Sequence, residues 1–157
     1  MRFQARFPAA KRSTSRLATD NAGATAVEFS LLAPVLFLVL LAIIQFGVAL
    51  NNYVELTDAV RVGARQFAIS SASTTPMSSA TNLVDSSAAS LTGGSISLTF
   101  KVNGAACTGD AACQTALASA AGGTATVAAT YPCDLTVMGI NFAPGCTLSA
   151  QTADMVE

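Results

Sequence analysis

The 157-residue sequence contains no histidine and no tryptophan, and only 11% of it is charged. Without histidine, no side chain ordinarily titrates near neutral pH, and the commonest metal ligand is missing. There is no Gly-rich phosphate loop, no nucleophile elbow and no paired-acid constellation, so catalysis is not expected. No cofactor is expected either. Cysteine is scarce: four residues, all in the carboxy-terminal half. Charge is absent over one long stretch. From Phe29 to Leu50 the chain reads FSLLAPVLFLVLLAIIQFGVAL, without a single ionisable side chain.

What remains is apolar. Hydrophobic residues make up 52% of the chain, and the mean hydropathy is +0.52. Both values point to the membrane class. As a helix, the 29–50 run would span about 33 Å, enough for a bilayer core. A cleaved secretory signal has a shorter apolar core of about 7–15 residues and a small-residue cleavage site. Leu50-Asn51-Asn52-Tyr53 is a poor site, which disfavours a plain signal peptide.

The net charge of −1 hides an asymmetry. Before Gly23 stand five cations (Arg2, Arg6, Lys11, Arg12, Arg16) against Asp20, a net +4. Beyond it stand Arg61, Arg65 and Lys101 against eight carboxylates, a net −5. A basic patch can mean nucleic acid, but this one has no aromatic platform beyond Phe3 and Phe7. It directly precedes a span, so it reads as a positive-inside signal holding residues 1–23 in the cytoplasm. No nucleic-acid partner is expected.

The helical pattern continues past the span. Tyr53, Leu56, Val60, Ala64 and Phe67 recur at steps of three and four, an amphipathic stripe. One continuous helix is predicted from about Thr25 to Ile69, with a kink at Pro34, where the bond to the Ser30 carbonyl is lost. Gly47 and Gly63 would let neighbouring helices approach closely. A Ser/Thr-rich linker follows over 71–82. A short helix is predicted over Ser79 to Leu91, with Leu83, Val84, Ala88 and Leu91 on one face and Gly93-Gly94 as its stop. SISLTFKV alternates through Ile96, Leu98, Phe100 and Val102. TATVAATY does so through Ala125, Val127, Ala129 and Tyr131. Both predict half-buried strands. The tail from Cys146 to Glu157 is a weaker third strand.

Four cysteines permit three pairings. Cys107 with Cys113 and Cys133 with Cys146 is the expected arrangement, because each pair brackets a turn-rich loop. A zinc site would need tight Cys-x-x-Cys or histidine spacings, and neither occurs. The loop carboxylates Asp110 and Asp134 carry no metal claim. Disulfides need an oxidising compartment, which places residues 83–157 outside the cytoplasm. The expected fold is thus α+β. A basic leader (1–23) precedes a transmembrane and amphipathic helix (24–70). A linker (71–82) joins it to a small antiparallel periplasmic head (83–157).

The stretches GATAVEFSLLAPVLFLVLLAIIQFG and DAVRVGARQFAIS resemble the TadE-like family of tight-adherence (Flp-type) pilus systems, within the type IV pilin-like superfamily. The resemblance covers about residues 22 to 70. It implies a minor pilin or pseudopilin in the bacterial inner membrane, passing once, cut between Gly23 and Ala24 by a prepilin peptidase. It implies other pilins, an inner-membrane assembly platform and membrane lipid as partners, and possible incorporation into an extracellular pilus. Glu28 becomes the fifth residue of the mature chain, where such pilins keep a carboxylate that pairs with a neighbour's new ammonium. Ala24 stands where the best-known pilins have Phe or Met, so amino-terminal methylation is not implied. The competing reading is an uncleaved single-pass protein serving as a periplasmic scaffold or tether.

Overall fold

A computed structural model describes residues 22–91, 95–133, 135–137 and 139–157. The basic leader up to residue 21, the Gly93-Gly94 stop and Asp134 lie outside the described residues. The chain divides into two compact units, Met1–Leu40 and Leu41–Glu157. Helix α1, Ala22–Ala68, has 47 residues and contains Pro34 without interruption. Among the described residues it is long and apolar enough to cross a membrane once. The α+β class follows from the nine elements found among the described residues.

In the second unit α1 changes character. Leu56, Ala59, Val60, Ala64, Phe67 and Ala68 are buried, forming one stripe. Tyr53, expected on that stripe, is 44% exposed, so burial starts one turn later, at Leu56. Helix α2 spans Pro76–Ser87 and buries Pro76, Ala80 and Val84. It begins inside the segment expected to be linker. Pro76 occupies the opening of the helix, where its fixed φ and missing N–H cost nothing. The connection is therefore residues 69–75, and the predicted helix over Ser79 to Leu91 shifts toward the amino terminus. Of the four residues expected on one helix face, Val84 is buried within α2 and Leu83 is half-buried there, while Ala88 and Leu91 are buried beyond the end of the helix.

Strands β1 (Ser97–Val102), β2 (Ala105–Cys107), β3 (Thr124–Pro132) and β6 (Thr147–Met155) form an antiparallel sheet in the order β2-β1-β3-β6. Phe100 pairs with Val127, and Val127 with Thr152. Phe100, Val102, Ala125, Val127, Ala129 and Ala150 join the α1 and α2 residues in one core. The Phe67 and Phe100 rings meet at 5.0 Å between centroids, tilted by 57°. The β1–β2 turn is Asn103-Gly104, both at positive φ. That is the turn whose twist matches a two-residue hairpin.

Four elements lie where loops were expected. Helix α3, Asp110–Ala118, occupies the segment after Cys107 and buries Cys113 and Leu117. Strand β2 precedes it. A small hairpin, β4 (Thr136–Val137) with β5 (Ile140–Asn141), lies within the Cys133–Cys146 loop. The structure joins Cys107 to Cys113 and Cys133 to Cys146, with Cα separations of 5.1 and 5.2 Å. The chain end returns to α1: the Glu157 N–H donates to the Ala68 carbonyl at 3.4 Å, and Ser71 Oγ donates to the Glu157 carbonyl at 2.8 Å.

Gly63 sets how closely α1 and α2 approach. A Cβ there would collide with Val84 Cγ2 and touch the Ala80 carbonyl. At Gly47 a Cβ meets nothing within 4 Å. Overpacking of this kind costs about 1–3 kcal/mol. Gly63→Ala should therefore lower the thermal midpoint of the head in detergent by several degrees, while Gly47→Ala leaves it unchanged. Equal melting of the two variants would show that Val84 yields freely.

Candidate functional site

The first candidate lies at the amino-terminal end of α1. Gly23 and Ala24 sit in its first turn, and a Cβ on Gly23 would meet nothing within 4 Å. The first turn is where a helix has fewest internal hydrogen bonds, and glycine adds backbone freedom there.

Glu28 is exposed. It is the seventh residue of α1, and the first turn contains no acid. The favourable effect of a helix dipole on a carboxylate dies away within the first turn. The dipole therefore gives little reason for a charge at position 28. Ala24 and Glu28 are four apart and share one helix face, with Cβ atoms about 5–6 Å apart. Nearby, Ser30 Oγ donates to the Val27 carbonyl at 2.8 Å, which hides its hydroxyl from an apolar medium. The side chains of Phe29, Leu31, Leu32, Val35 and Leu36 are all mainly exposed. This is uncovered apolar surface carrying one carboxylate. Pro34 is exposed, and the helix runs on through it.

The second unit holds two carboxylates in a different setting. Asp110 opens α3, and its two oxygens accept from the Ser78 N–H at 2.8 Å and from Ser78 Oγ. Ser78 is the third residue of α2, whose own N-cap, Thr75, makes no side-chain cap bond. Asp110 thus caps α2 from another element, supplying the acceptor that the local sequence lacks. Those hydrogen bonds, the Ser78 hydroxyl first, hold its carboxyl below the usual aspartate range. Glu55 on α1 likewise accepts from the Ser90 N–H at 2.9 Å and from Ser90 Oγ. Both carboxylates tie elements of the head together. Among the described residues no cluster of ligating side chains could hold a metal ion.

Gln45 received no assignment from the sequence. Its Nε2 donates to the Thr136 carbonyl at 3.0 Å, joining the α1 helix to strand β4. The signal was available: Gln45 is the one polar side chain between Leu31 and Leu50.

Residues 23–65 match the family model of TadE-like proteins. The match opens at Gly23 and runs through Glu28, Pro34 and Gly63 to Arg65, all within α1. No curated protein and no solved structure matches the chain.

The Asp110 cap has a pH signature. Its carboxyl has a lower pKa in the folded head than in the unfolded chain, so its contribution is complete above the ordinary aspartate value, about 3.9. It is lost as pH falls through the depressed folded value. Denaturant midpoints across a pH series should therefore fall for the native head on acidification below that point. Asp110→Ala should lower the neutral-pH midpoint and converge with the native protein in acid. A constant gap between the two at all pH values would show that the Ser78 bonds do not depend on the charge.

Proposed function

We propose that the chain is a minor pilin or pseudopilin of a tight-adherence pilus, made as a precursor and cut between Gly23 and Ala24 by a prepilin peptidase. The observation that carries this reading is the TadE-like match over residues 23–65, which begins at the small-residue junction and takes in Glu28 on an uncovered apolar helix. Involvement in pilus assembly accounts for all three features together. A purely local role for Glu28 does not.

Hydrolysis after Gly23 removes the basic leader and leaves an ammonium on Ala24. The leader holds that end in the cytoplasm, and the disulfide-bearing head lies in the periplasm. Inside an apolar bundle of subunits an unpaired charge loses its water without compensation, so ammonium and carboxylate each need a counter-charge there. In a bundle of mature subunits, the Glu28 carboxylate of one meets the ammonium of its neighbour. The exposed side chains around Glu28 supply the apolar surface on which such a bundle packs. Its partners are then the peptidase, other pilins of the system, the inner-membrane assembly platform and lipid. The role is structural rather than catalytic.

Two substitutions separate the steps. Gly23→Val places a branched side chain at the junction and should leave the full-length precursor in the membrane, read by intact mass or amino-terminal sequencing. Glu28→Gln should still be inserted and cut, while its incorporation into pili or cross-linking to partner pilins falls sharply. A native amino terminus at Met1 would favour the uncleaved tether instead. Wild-type piliation by the Gln variant would remove the role assigned to Glu28.

A further inference from the structure

The β4–β5 hairpin exposes apolar side chains where the fold does not need them. Ile140 and Phe142 are each 63% exposed. From Leu135 to Gly145 the sequence LTVMGINFAPG carries no charge. Two turns within it are Gly-assisted, at Gly139 and Gly145. The loop is closed at its base by Cys133–Cys146.

The position of the hairpin along α1 gives these side chains a solvent. Gln45 Nε2 holds the Thr136 carbonyl at 3.0 Å. Gln45 lies five residues before Leu50, the end of the apolar run, and ten before Glu55, the first charge after Glu28. At the helical rise, the contact therefore sits about 7 Å inside the end of the run. Interfacial apolar elements bury to a depth of about 5–10 Å, the same zone. On α1 itself, Leu41, Ala42 and Gln45 share a half-buried side, and Ala49 one turn on continues it, while Ile43, Ile44 and Phe46 are exposed.

The hairpin is also equipped for a medium poor in water. Thr136 pairs with Asn141 and Val137 with Ile140. The Phe142 N–H donates to the Leu135 carbonyl at 3.0 Å, and the Ala143 N–H to Asn141 Oδ1 at 3.0 Å. The Cys133 N–H donates to the Cys146 carbonyl, and the Cys146 N–H to the Ala143 carbonyl, both at 3.1 Å. Each of these bonds removes a backbone donor that lipid would leave unsatisfied.

We propose that the β4–β5 hairpin is a second membrane contact: Ile140 and Phe142 insert into the headgroup–acyl boundary of the leaflet on the head's side, and the Gln45–Thr136 bond fixes their depth. This holds whether or not the Gly23–Ala24 bond is cut. It requires only that α1 crosses the bilayer.

The chain has no tryptophan, so one introduced at a time reports its own surroundings. Full-length Phe142→Trp would be placed in phosphatidylcholine–phosphatidylglycerol vesicles, some carrying lipid brominated near the carbonyl end of the acyl chain, to report position 142, and others lipid brominated near its methyl end, to report the middle of the run. Phe37→Trp within the run and Thr130→Trp on an exposed position of β3 serve as references. The expected result is blue-shifted emission at position 142, with bromolipid quenching several-fold stronger than at position 130 and weak quenching by acrylamide. Adding Ile140→Asp should return the emission toward that of the Thr130→Trp chain. Red-shifted, acrylamide-accessible emission at 142, with position 37 still quenched by bromolipid, would overturn the hairpin contact alone. Emission shielded from both quenchers would mean that protein covers the hairpin, and would overturn it too. Failure of bromolipid to quench position 37 would remove the membrane span and the hairpin contact with it.

Discussion

One helix serves two solvents, and the rest of the molecule depends on how it does so. Through Phe29 to Leu50 the α1 surface is apolar on every side, as hydrocarbon requires. From Leu56 onward it narrows to the stripe ending at Phe67 and Ala68. The sheet needs that stripe. A single antiparallel sheet with one apolar face must be covered by another layer. Phe67 against Phe100 lies at the centre of that contact. A fully buried side chain of this size contributes about 1.5–3 kcal/mol, so a polar residue at Leu56, Val60 or Phe67 would weaken the hold of the head on the helix.

The head compensates for small side chains. Ala59, Ala64, Ala68, Ala80, Ala88, Ala125, Ala129 and Ala150 are all core residues. Each buries little area, and what they provide is close approach between backbones, with Gly63 as the extreme case. The missing hydrophobic stabilisation is offset by cross-links. The disulfides close loops with sequence separations of 6 and 13. On the chain-entropy account, whose mechanism is disputed, each contributes about 2–3 kcal/mol. Asp110 then pins α3 to the start of α2, and Glu55 pins α1 to the turn after α2. These ties join segments that their side chains alone would hold weakly.

Legibility in the sequence followed the strength of periodicity. Helix α1 was readable because its apolar run and stripe are long and unbroken, and membrane helices tolerate Pro34 and the glycines within it. Strands β1 and β3 showed because large and small residues alternate cleanly through Phe100 and Val127. Helix α3 did not show, since its buried residues are only Cys113 and Leu117, one turn apart. Cys113 is both half of a disulfide and a core residue, and its spacing from Cys107 signals only the first. Pro76 read as linker because proline marks both loops and helix starts, and only the following pattern at Ala80 and Val84 separates them. Asn103-Gly104 is a strong hairpin signal that would have located β2. At the junction, Gly23, Ala24 and Glu28 were legible as residue types at a spacing. Gln45 was not, because its partner is a backbone carbonyl 91 positions away, and backbone acceptors leave no mark in sequence.

Polarity returns to α1 in steps, and each step matches the local cost of a polar group. Within the apolar run the one amide, Gln45, is given a carbonyl acceptor. An unsatisfied donor there would cost several kcal/mol, whereas in water it would cost little. Past Leu50 come Asn51 and Asn52, uncharged but strongly hydrogen-bonding. The first carboxylate, Glu55, appears only when the head is close enough to offer two donors from Ser90. Beyond it, Asp58, Arg61 and Arg65 are simply exposed, as charges in water can be. Glu28, at the other end of the run, breaks this sequence. It is a full charge flanked by exposed apolar side chains, with no acid-stabilising first turn beneath it. A helix that partners its amide and its next carboxylate so carefully has a reason to leave that one carboxylate facing outward. The proposed pairing with a neighbouring subunit's ammonium would supply that reason.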